Sequence, residues 1–250
     1  MTALTTTSAL MSNYGNPELE FDHGKGCYLF TPAGERYLDF TMGIAVNCLG
    51  HCHPHLIAAL QEQSQKIWHS SNLFRIPQTE RLARRLVELT FADRVFFSNS
   101  GTEAVEAGFK IMRRYHYSRG EAQRVRIIAL SQSFHGRTMA PLAASANPLH
   151  VEGFLTGDPG FDQVPWGDIA ALRAAISETT AGVILEPIQG EGGIRVTPFD
   201  YLRQVRELCD EKGVLLMFDE VQSGVGRSGH LYAYQASGVV PDLLASAKGL

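Results

Sequence analysis

The sequence lacks the main features of membrane, nucleic-acid-binding and disulfide-stabilised proteins. None of its apolar runs approaches the roughly 20 residues that cross a bilayer, so we expect no membrane partner. Its 22 basic residues are interspersed among 26 acidic ones, and the net charge is −4. Without a basic stripe to bind phosphate backbones, we expect no nucleic-acid partner.

Cysteine is also scarce, with four residues scattered over 250 positions. A disulfide framework needs more cysteines at closer spacing, so this usage favours a reducing cytoplasm. The first 15 residues contain no basic region followed by a continuous apolar stretch, which favours neither a secretory signal nor a transit peptide. We therefore expect a cytoplasmic protein.

The composition that remains is that of a globular protein, with 44% hydrophobic and 19% charged residues. The length suits one large domain or two small ones. Near the N-terminus, residues 27–40 contain two β-rich runs around a Pro- and Gly-containing turn, which predicts a β-hairpin. Apolar residues at three- and four-residue spacing then predict helices over 54–68 and 77–90.

The rest of the chain alternates short apolar runs with helical stretches. Such runs are typical of strands buried on both faces of a parallel sheet. They lie at residues 94–97, 125–130, 182–187, 214–220 and 243–247. The clearest intervening helix is predicted over 198–212, with Thr197 as its N-cap and Gly213 just beyond its end. Its predicted buried stripe is Phe199, Leu202, Val205 and Leu208. The pattern predicts an α/β fold with a mostly parallel sheet and crossover helices.

Ligands of such sheets bind at the carboxyl ends of the strands. The sequence places polar and glycine-rich segments at these ends, namely residues 98–102, 131–137, 186–193, 219–222 and Lys248. Five strands would therefore bring chemically diverse side chains to one rim of the sheet.

Three of these strand-end segments have both a chemical and a structural interpretation. Ser100 and Gly101 begin a predicted helix, where free N–H groups could bind an anion or simply form an ordinary capped end. Asp219 ends the most apolar strand and needs a cationic partner such as a protonated pyridine nitrogen or a metal, unless it only caps a solvated turn. Lys248 follows small residues that leave room for a flat ligand, although surface lysines are more common.

Taken in order, several motifs resemble those of the class III, or ω-amino, aminotransferases of fold type I, and among them the acetylornithine aminotransferase family. The resemblance covers nearly the whole chain. The matching stretches are YLDFTMGIAVNCLGHCHP, IWHSSNLF, FFSNSGTEAVEAGFK, SFHGRT, ILEPIQGEGG, FDEVQSGVGRSG and PDLLASAKGL.

The resemblance implies pyridoxal 5′-phosphate as the cofactor and a role for particular residues. Lys248 would bind the cofactor covalently and later carry a proton, and Asp219 would pair with the pyridinium nitrogen. Gln222 would hydrogen-bond the phenolic oxygen of the ring, and Phe134 would stack on it. Gly101 and Thr102 would hold the phosphate.

The resemblance also implies the residues that bind substrate. Arg137 would bind a substrate carboxylate through its planar guanidinium. Glu191 would act as a switch that masks an arginine from the wrong substrate, and Tyr14 would contact substrate.

The implied reaction moves the terminal amine of N-acetylornithine to 2-oxoglutarate, giving glutamate, as in arginine biosynthesis. IWHSSNLF and GIAVNCLGH favour the acetylated substrate over ornithine, succinylornithine or γ-aminobutyrate. A homodimer with a shared active site is implied as well.

The domain organisation implied by the resemblance assigns residues 1–50, with the hairpin, to a small domain. Residues 51–250 would form the fold-type-I large domain, incomplete at its C-terminal end. Relatives continue beyond the lysine with a further strand between those of 94–97 and 243–247. They also continue with a phosphate contact for the partner subunit and a second carboxylate-binding arginine. Residues 1–250 alone would then be inactive.

Two other interpretations compete with an enzyme. The chain could be a non-catalytic fragment of such an aminotransferase. Alternatively, His51, Cys52, His53 and His55 could bind a metal, although ligands alternating this closely seldom complete a tetrahedral site and the usual spaced pairs are missing. We expect no metal.

Overall fold

The computed structural model describes residues 9–15, 17–145, 147–154 and 157–250. It divides the chain into two compact units, residues 1–69 and 70–250. The assignment of 1–50 to a small domain and 51–250 to a large one stays a prediction. The expectation that residues 1–15 form no signal segment falls largely outside the described ranges. No described helix has the length and apolarity to cross a membrane.

The first unit contains a small antiparallel sheet in which β2 pairs with both β1 and β3. The predicted hairpin of residues 27–40 is therefore confirmed as β2 and β3. The unit consists of a 3-10 turn (Ser12–Tyr14), β1 (His23–Lys25), β2 (Tyr28–Phe30), β3 (Arg36–Leu38), α1 (Met42–Ala45) and α2 (Pro54–Ser64).

Two side-chain hydrogen bonds in this unit bear on the sequence predictions, one made by Trp68 and one made by His51. The predicted helix over 54–68 ends early, at Ser64, and the Trp68 indole N–H satisfies the free Ser64 carbonyl at its end. In the HCHPH stretch, His51 Nε2 lies 2.7 Å from Asp39 Oδ2. The described residues contain no group of three or more possible metal ligands.

The second unit is built on a parallel sheet. Its elements are α3 (Pro77–Leu89), α4 (Gly101–Ser118), β4 (Arg126–Leu130), α5 (Met139–Ser145), α6 (Pro148–Val151), β5 (Phe161–Val164), α7 (Ile169–Ala175), β6 (Thr180–Leu185), β7 (Ile188–Gln189), β8 (Arg195–Val196), α8 (Phe199–Lys212), β9 (Leu215–Asp219), α9 (Tyr234–Ser237) and β10 (Leu243–Ala245). Within the described part of the chain the strand order is β10-β9-β6-β4-β5, and every pairing is parallel. The predicted α/β fold with a parallel sheet is confirmed.

One predicted strand is wrong. Residues 94–97 form no strand, and Phe96 has 72% of its surface exposed. A strand needs a neighbour to complete its ladder of hydrogen bonds, and none pairs with this run among the described residues. The resemblance assigns the neighbour of this run to a strand that relatives carry beyond the lysine, so no pairing partner for it occurs among the described residues.

Helices cover both faces of the sheet and bury its side chains. On one face Leu202, Val205 and Leu208 of α8 are at most 1% exposed, as predicted. Phe199 was predicted to join them but is 45% exposed. The predicted N-cap was also wrong: the helix begins one residue later, with Pro198 in the cap position, because the Thr197 hydroxyl donates instead to the Glu186 carbonyl.

On the opposite face α4 packs closely against β9. Val105, Phe109 and Met112 are at most 1% exposed, and burying each such side chain stabilises the fold by about 1.5–3 kcal/mol. At Gly108 an added Cβ would lie 2.5 Å from the Met217 thioether. The glycine therefore allows the helix to approach the strand that ends at the site.

Candidate active site

The carboxyl ends of the strands surround a cleft of about 380 Å³ that opens to solvent. The cleft is lined by Gly101, Thr102, Phe134, His135, Gly136, Glu186, Glu191, Asp219, Val221, Gln222 and Lys248. The structure thus brings together seven of the nine predicted site residues.

The other two predicted site residues lie elsewhere. Arg137 is exposed beside the cleft, with its guanidinium carbon 5.6 Å from the centre of the Phe134 ring. Tyr14 belongs to the first unit, in the 3-10 turn, and is 83% exposed. Its predicted contact with substrate stays a prediction.

The start of α4 is fixed by a capping box. The Ser100 hydroxyl accepts from the Glu103 N–H, and the Glu103 carboxylate accepts from the Asn99 N–H at 2.8 Å. Hydrogen bonds from Asn99 and Ser100 lower the pKa of Glu103. The helix therefore begins at a defined place, with its positive dipole end at the cleft.

Gly101 is wedged against the two segments that follow β9 and β10. An added Cβ would lie 2.7 Å from Val221 Cγ1 and 3.2 Å from the Ala247 Cβ. Neither neighbour is a flexible side chain that could move aside. Only glycine allows the helix start to approach both segments this closely.

A second glycine brings the Phe134 segment against the helix start. Gly136 has φ +127°, a conformation that L side chains rarely adopt, and an added Cβ would overlap the Thr102 hydroxyl. That hydroxyl is 3.1 Å from the Thr138 hydroxyl. The contacts hold Phe134 at one wall of the cleft.

Asp219 is the buried acid of the site. It is 5% exposed, and its carboxylate contacts His135 Nδ1 at 2.7 Å and accepts from the Val221 N–H at 3.1 Å. Burial lowers the pKa of His135, but the hydrogen bond and charge of Asp219, together with the charge of Glu186, outweigh burial and raise it. His135 Nε2 is buried without a hydrogen-bond partner among the described residues.

Lys248 lines the same cleft and is half-buried. Its backbone has φ +51°, which is uncommon for a residue with a side chain and marks local strain. Burial lowers the pKa of its amine, against the raising effect of Glu191, Asp219 and Glu186. A lysine with a lowered pKa carries a larger fraction of neutral, nucleophilic amine at neutral pH.

Two residues of the cleft were not singled out from the sequence. His135 and Glu186 lay within the polar strand-end segments, but nothing in the sequence showed that both would be buried beside Asp219. The available signal was a histidine next to Phe134 and a glutamate directly after the apolar run of β6. Burial raises the pKa of Glu186 to about 7.

Comparison with known proteins places this cleft in a family. The Aminotransferase class-III family model matches residues 10–250. A curated protein from Brucella melitensis named acetylornithine aminotransferase is 55% identical over 250 residues, which cover all of this chain and 62% of that protein. The chain therefore spans about three fifths of that relative's length.

Solved structures agree. N-acetylornithine aminotransferase from Stenotrophomonas maltophilia has a TM-score of 0.81 and 38% identity, over 95% of this chain and 60% of that one. Ornithine aminotransferase from Toxoplasma gondii, described with pyridoxal phosphate at its active site, has a TM-score of 0.88 and 34% identity, over 94% and 57%. The extent of these matches, over the cleft and the sheet together, shows that the chain belongs to the class-III aminotransferases, a family of pyridoxal-phosphate-dependent enzymes.

Proposed function

We propose that the protein carrying this chain transfers the terminal amino group of N-acetylornithine to 2-oxoglutarate with pyridoxal 5′-phosphate. The observation that carries this proposal is a half-buried lysine and a buried aspartate facing one cleft at the strand ends. The names of the curated relatives support the choice of acetylornithine as amino donor. The family itself implies an amino donor and a keto-acid acceptor.

The residues present fit the cofactor. A carboxylate that is 5% exposed needs a cationic partner, and a protonated pyridine ring nitrogen satisfies that need in addition to His135. When bound, pyridoxal phosphate supplies an electrophilic carbonyl and an electron sink for the substrate carbon. Asp219 would keep the ring nitrogen protonated.

The proposed role of Lys248 follows from its amine. A neutral Nζ can attach the cofactor, and once released it can accept a proton from one atom of the substrate and return it to another. Its strained backbone and half-buried position favour a fixed orientation of the amine.

The remaining cleft residues would position the cofactor and substrate. The α4 start at Gly101 and Thr102 offers N–H groups and a hydroxyl for the phosphate. Phe134 would pack on the ring, and Gln222 would hydrogen-bond its phenolic oxygen.

Substrate recognition would use charged groups at the mouth of the cleft. The exposed guanidinium of Arg137 can bind a substrate carboxylate with two parallel hydrogen bonds. Glu191, exposed on the loop between β7 and β8, would act as the carboxylate switch. Tyr14 would contact substrate.

An assay of the natural protein tests this proposal. With 2-oxoglutarate as acceptor, glutamate formation from N-acetylornithine should exceed that from ornithine, succinylornithine and γ-aminobutyrate. Lys248→Ala should abolish it, whereas the exposed Lys110→Ala on α4 should not. A preference for another amine would refute the acetylornithine assignment alone, and activity in Lys248→Ala would refute the role of that lysine.

The proposal extends to a cytoplasmic homodimer that acts in arginine biosynthesis. Exposed apolar side chains in the second unit support a protein partner, since Leu73, Phe74 and Phe96 are 83%, 68% and 72% exposed. Light scattering of the natural protein should give twice the mass of its subunit. A monomer with full activity would refute the shared active site.

A further inference from the structure

Glu186 is a buried carboxylate in the wall of the cleft, and the proposed reaction gives it no role. It directly follows β6 and is 6% exposed. Its Oε2 accepts from the Phe134 N–H at 3.1 Å, and the Gly190 N–H, on a second segment, favours its charged form by lowering its pKa. One carboxylate therefore joins two different segments of the site to the end of a central strand.

Both segments carry groups that face the cleft. Phe134 belongs to the stretch that continues through His135 to Arg137, and Gly190 directly precedes Glu191. Gly190 also lies against the Gln222 carboxamide, since an added Cβ would overlap it. A movement at either N–H would therefore displace side chains that line the cleft.

The hydrogen bond from Phe134 and the attraction of the Gly190 N–H both depend on the charge of the carboxylate. An ionised carboxylate has two oxygens that accept, and its bonds to N–H groups are about twice as strong as neutral ones. A protonated carboxyl group is neutral and uses one oxygen as an O–H donor, so one N–H group keeps a neutral carbonyl acceptor and the other keeps only the weaker hydroxyl oxygen. Protonation of Glu186 therefore weakens the link to one segment.

The surroundings of Glu186 allow this change of charge near neutrality. Burial raises the pKa of Glu186 to about 7, the charge of His135 lowers it, and the charge of Asp219 raises it. Lys248 and Glu191 are the other charged groups that line the cleft. Glu186 in turn raises the pKa of Lys248.

We propose that Glu186 is a positioning residue: its carboxylate fastens the Phe134 and Gly190 segments to the end of β6, and it loosens one of them when it takes up a proton. The link itself belongs to this chain and needs no cofactor. Its effect on turnover rests on the proposed aminotransferase function.

Hydrogen exchange of the natural protein without added cofactor tests the link directly. Exchange of peptides covering 133–136 and 188–192 would be measured at about pH 6 and about pH 8, normalised to intrinsic exchange rates. One unit below its pKa the carboxyl group is about 90% protonated, so protection of one segment should fall about tenfold at the lower pH. Equal protection at the two pH values in wild type would overturn the proposal.

Glu186→Gln has nearly the same shape but cannot ionise. One of the two segments should be weakly protected at both pH values, while the control Glu207→Gln on the exposed face of α8 should behave as wild type. A Glu186→Gln protein with the full wild-type pH dependence would refute the role of Glu186. If this variant does not fold, the wild-type comparison alone decides.

Activity gives a second, separable readout. The kcat/KM of wild type should fall as pH drops below about 7, and that acidic limb should disappear in Glu186→Gln. A variant that keeps the limb would show that another group causes it and would overturn the catalytic part of the proposal. The wild-type protein could instead show pH-dependent hydrogen-exchange protection but no aminotransferase activity. That result would refute the proposed function and leave the role of Glu186 in the link intact.

Discussion

Glu220 provides the sharpest test of how this site is supported. It follows Asp219 in the sequence but does not line the cleft. Its side chain is fully buried and supports the surrounding chain instead. Its carboxylate accepts from the N–H groups of Ala233 and Tyr234 at 2.6 and 2.8 Å, and from the Ser223 hydroxyl at 3.0 Å. Glu220→Ala removes the acceptor of all three donors.

The magnitude follows from the two backbone donors. The Ser223 hydroxyl can rotate to another acceptor, but the two amides are fixed where the chain turns into α9. Each buried donor left without a partner costs about 1–3 kcal/mol, so the loss is about 2–6 kcal/mol. A whole domain is stable by only about 5–15 kcal/mol, so this is a large fraction of the total.

Glu220→Gln should lie between wild type and the alanine variant, because its carbonyl oxygen still accepts from one amide. Burial raises the pKa of Glu220 above its usual 4.5. The stability that this raised pKa contributes is complete below about pH 4.5 and is lost as pH rises through the raised value. The glutamine variant should lack this part of the pH dependence.

Urea unfolding of the natural protein, followed by circular dichroism at neutral pH, measures these differences. Glu207→Ala on the exposed face of α8 is the matched control and should stay within about 0.5 kcal/mol of wild type. If Glu220→Ala lost less than about 1 kcal/mol, the carboxylate would not be the essential acceptor inferred here.

Three further outcomes follow from the site. Gly136→Ala should weaken pyridoxal phosphate binding measured by calorimetry, because the added Cβ overlaps the Thr102 hydroxyl. Gly120 also has a positive φ but has open space around an added Cβ, so Gly120→Ala is the control. Equal losses of affinity in the two variants would refute the steric argument. Asp219→Asn should lower kcat, because the activation free energy should rise by several kcal/mol. It should also flatten the pH dependence of stability near neutrality: the contribution of the His135 pair is complete below about pH 6.5 and is lost as pH rises through the raised pKa, so an unchanged curve would contradict the pairing. Arg137→Lys should raise the KM for N-acetylornithine about tenfold with little change in kcat, as expected when a point charge replaces a two-pronged donor; an unchanged KM would place the carboxylate elsewhere.

The sequence predicted the central strands well because their composition matches their environment. In β6 every side chain is buried, and β9 is similar, so continuous apolar runs sufficed to find them. The edge strand β5 was missed because Asp162 and Gln163 interrupt its apolar pattern. Asp162 instead holds Arg126 of the neighbouring strand with two hydrogen bonds, a partnership that only the folded chain reveals.

For the site, the sequence predicted the positions of groups better than their interactions. Asp219 and Lys248 follow from their places at strand ends, and the structure puts both in one cleft. The buried contact of His135 with Asp219 joins positions 84 residues apart, and the two N–H groups on Glu186 come from separate loops. Such long-range contacts and the pKa shifts they cause have no local pattern.

The wedge at Gly101 has a consequence for how this protein can change over generations. Val221 lies two residues after the buried acid and Ala247 lies directly before the lysine, and both press on the same glycine. A methyl group added at any of these three positions would shift Asp219, Lys248 and the start of α4 together. The effects of mutations there should therefore be non-additive, since positions 221 and 247 both lie against Gly101. Adaptive paths to new substrates are expected to leave this trio unchanged and to vary the exposed mouth of the cleft instead.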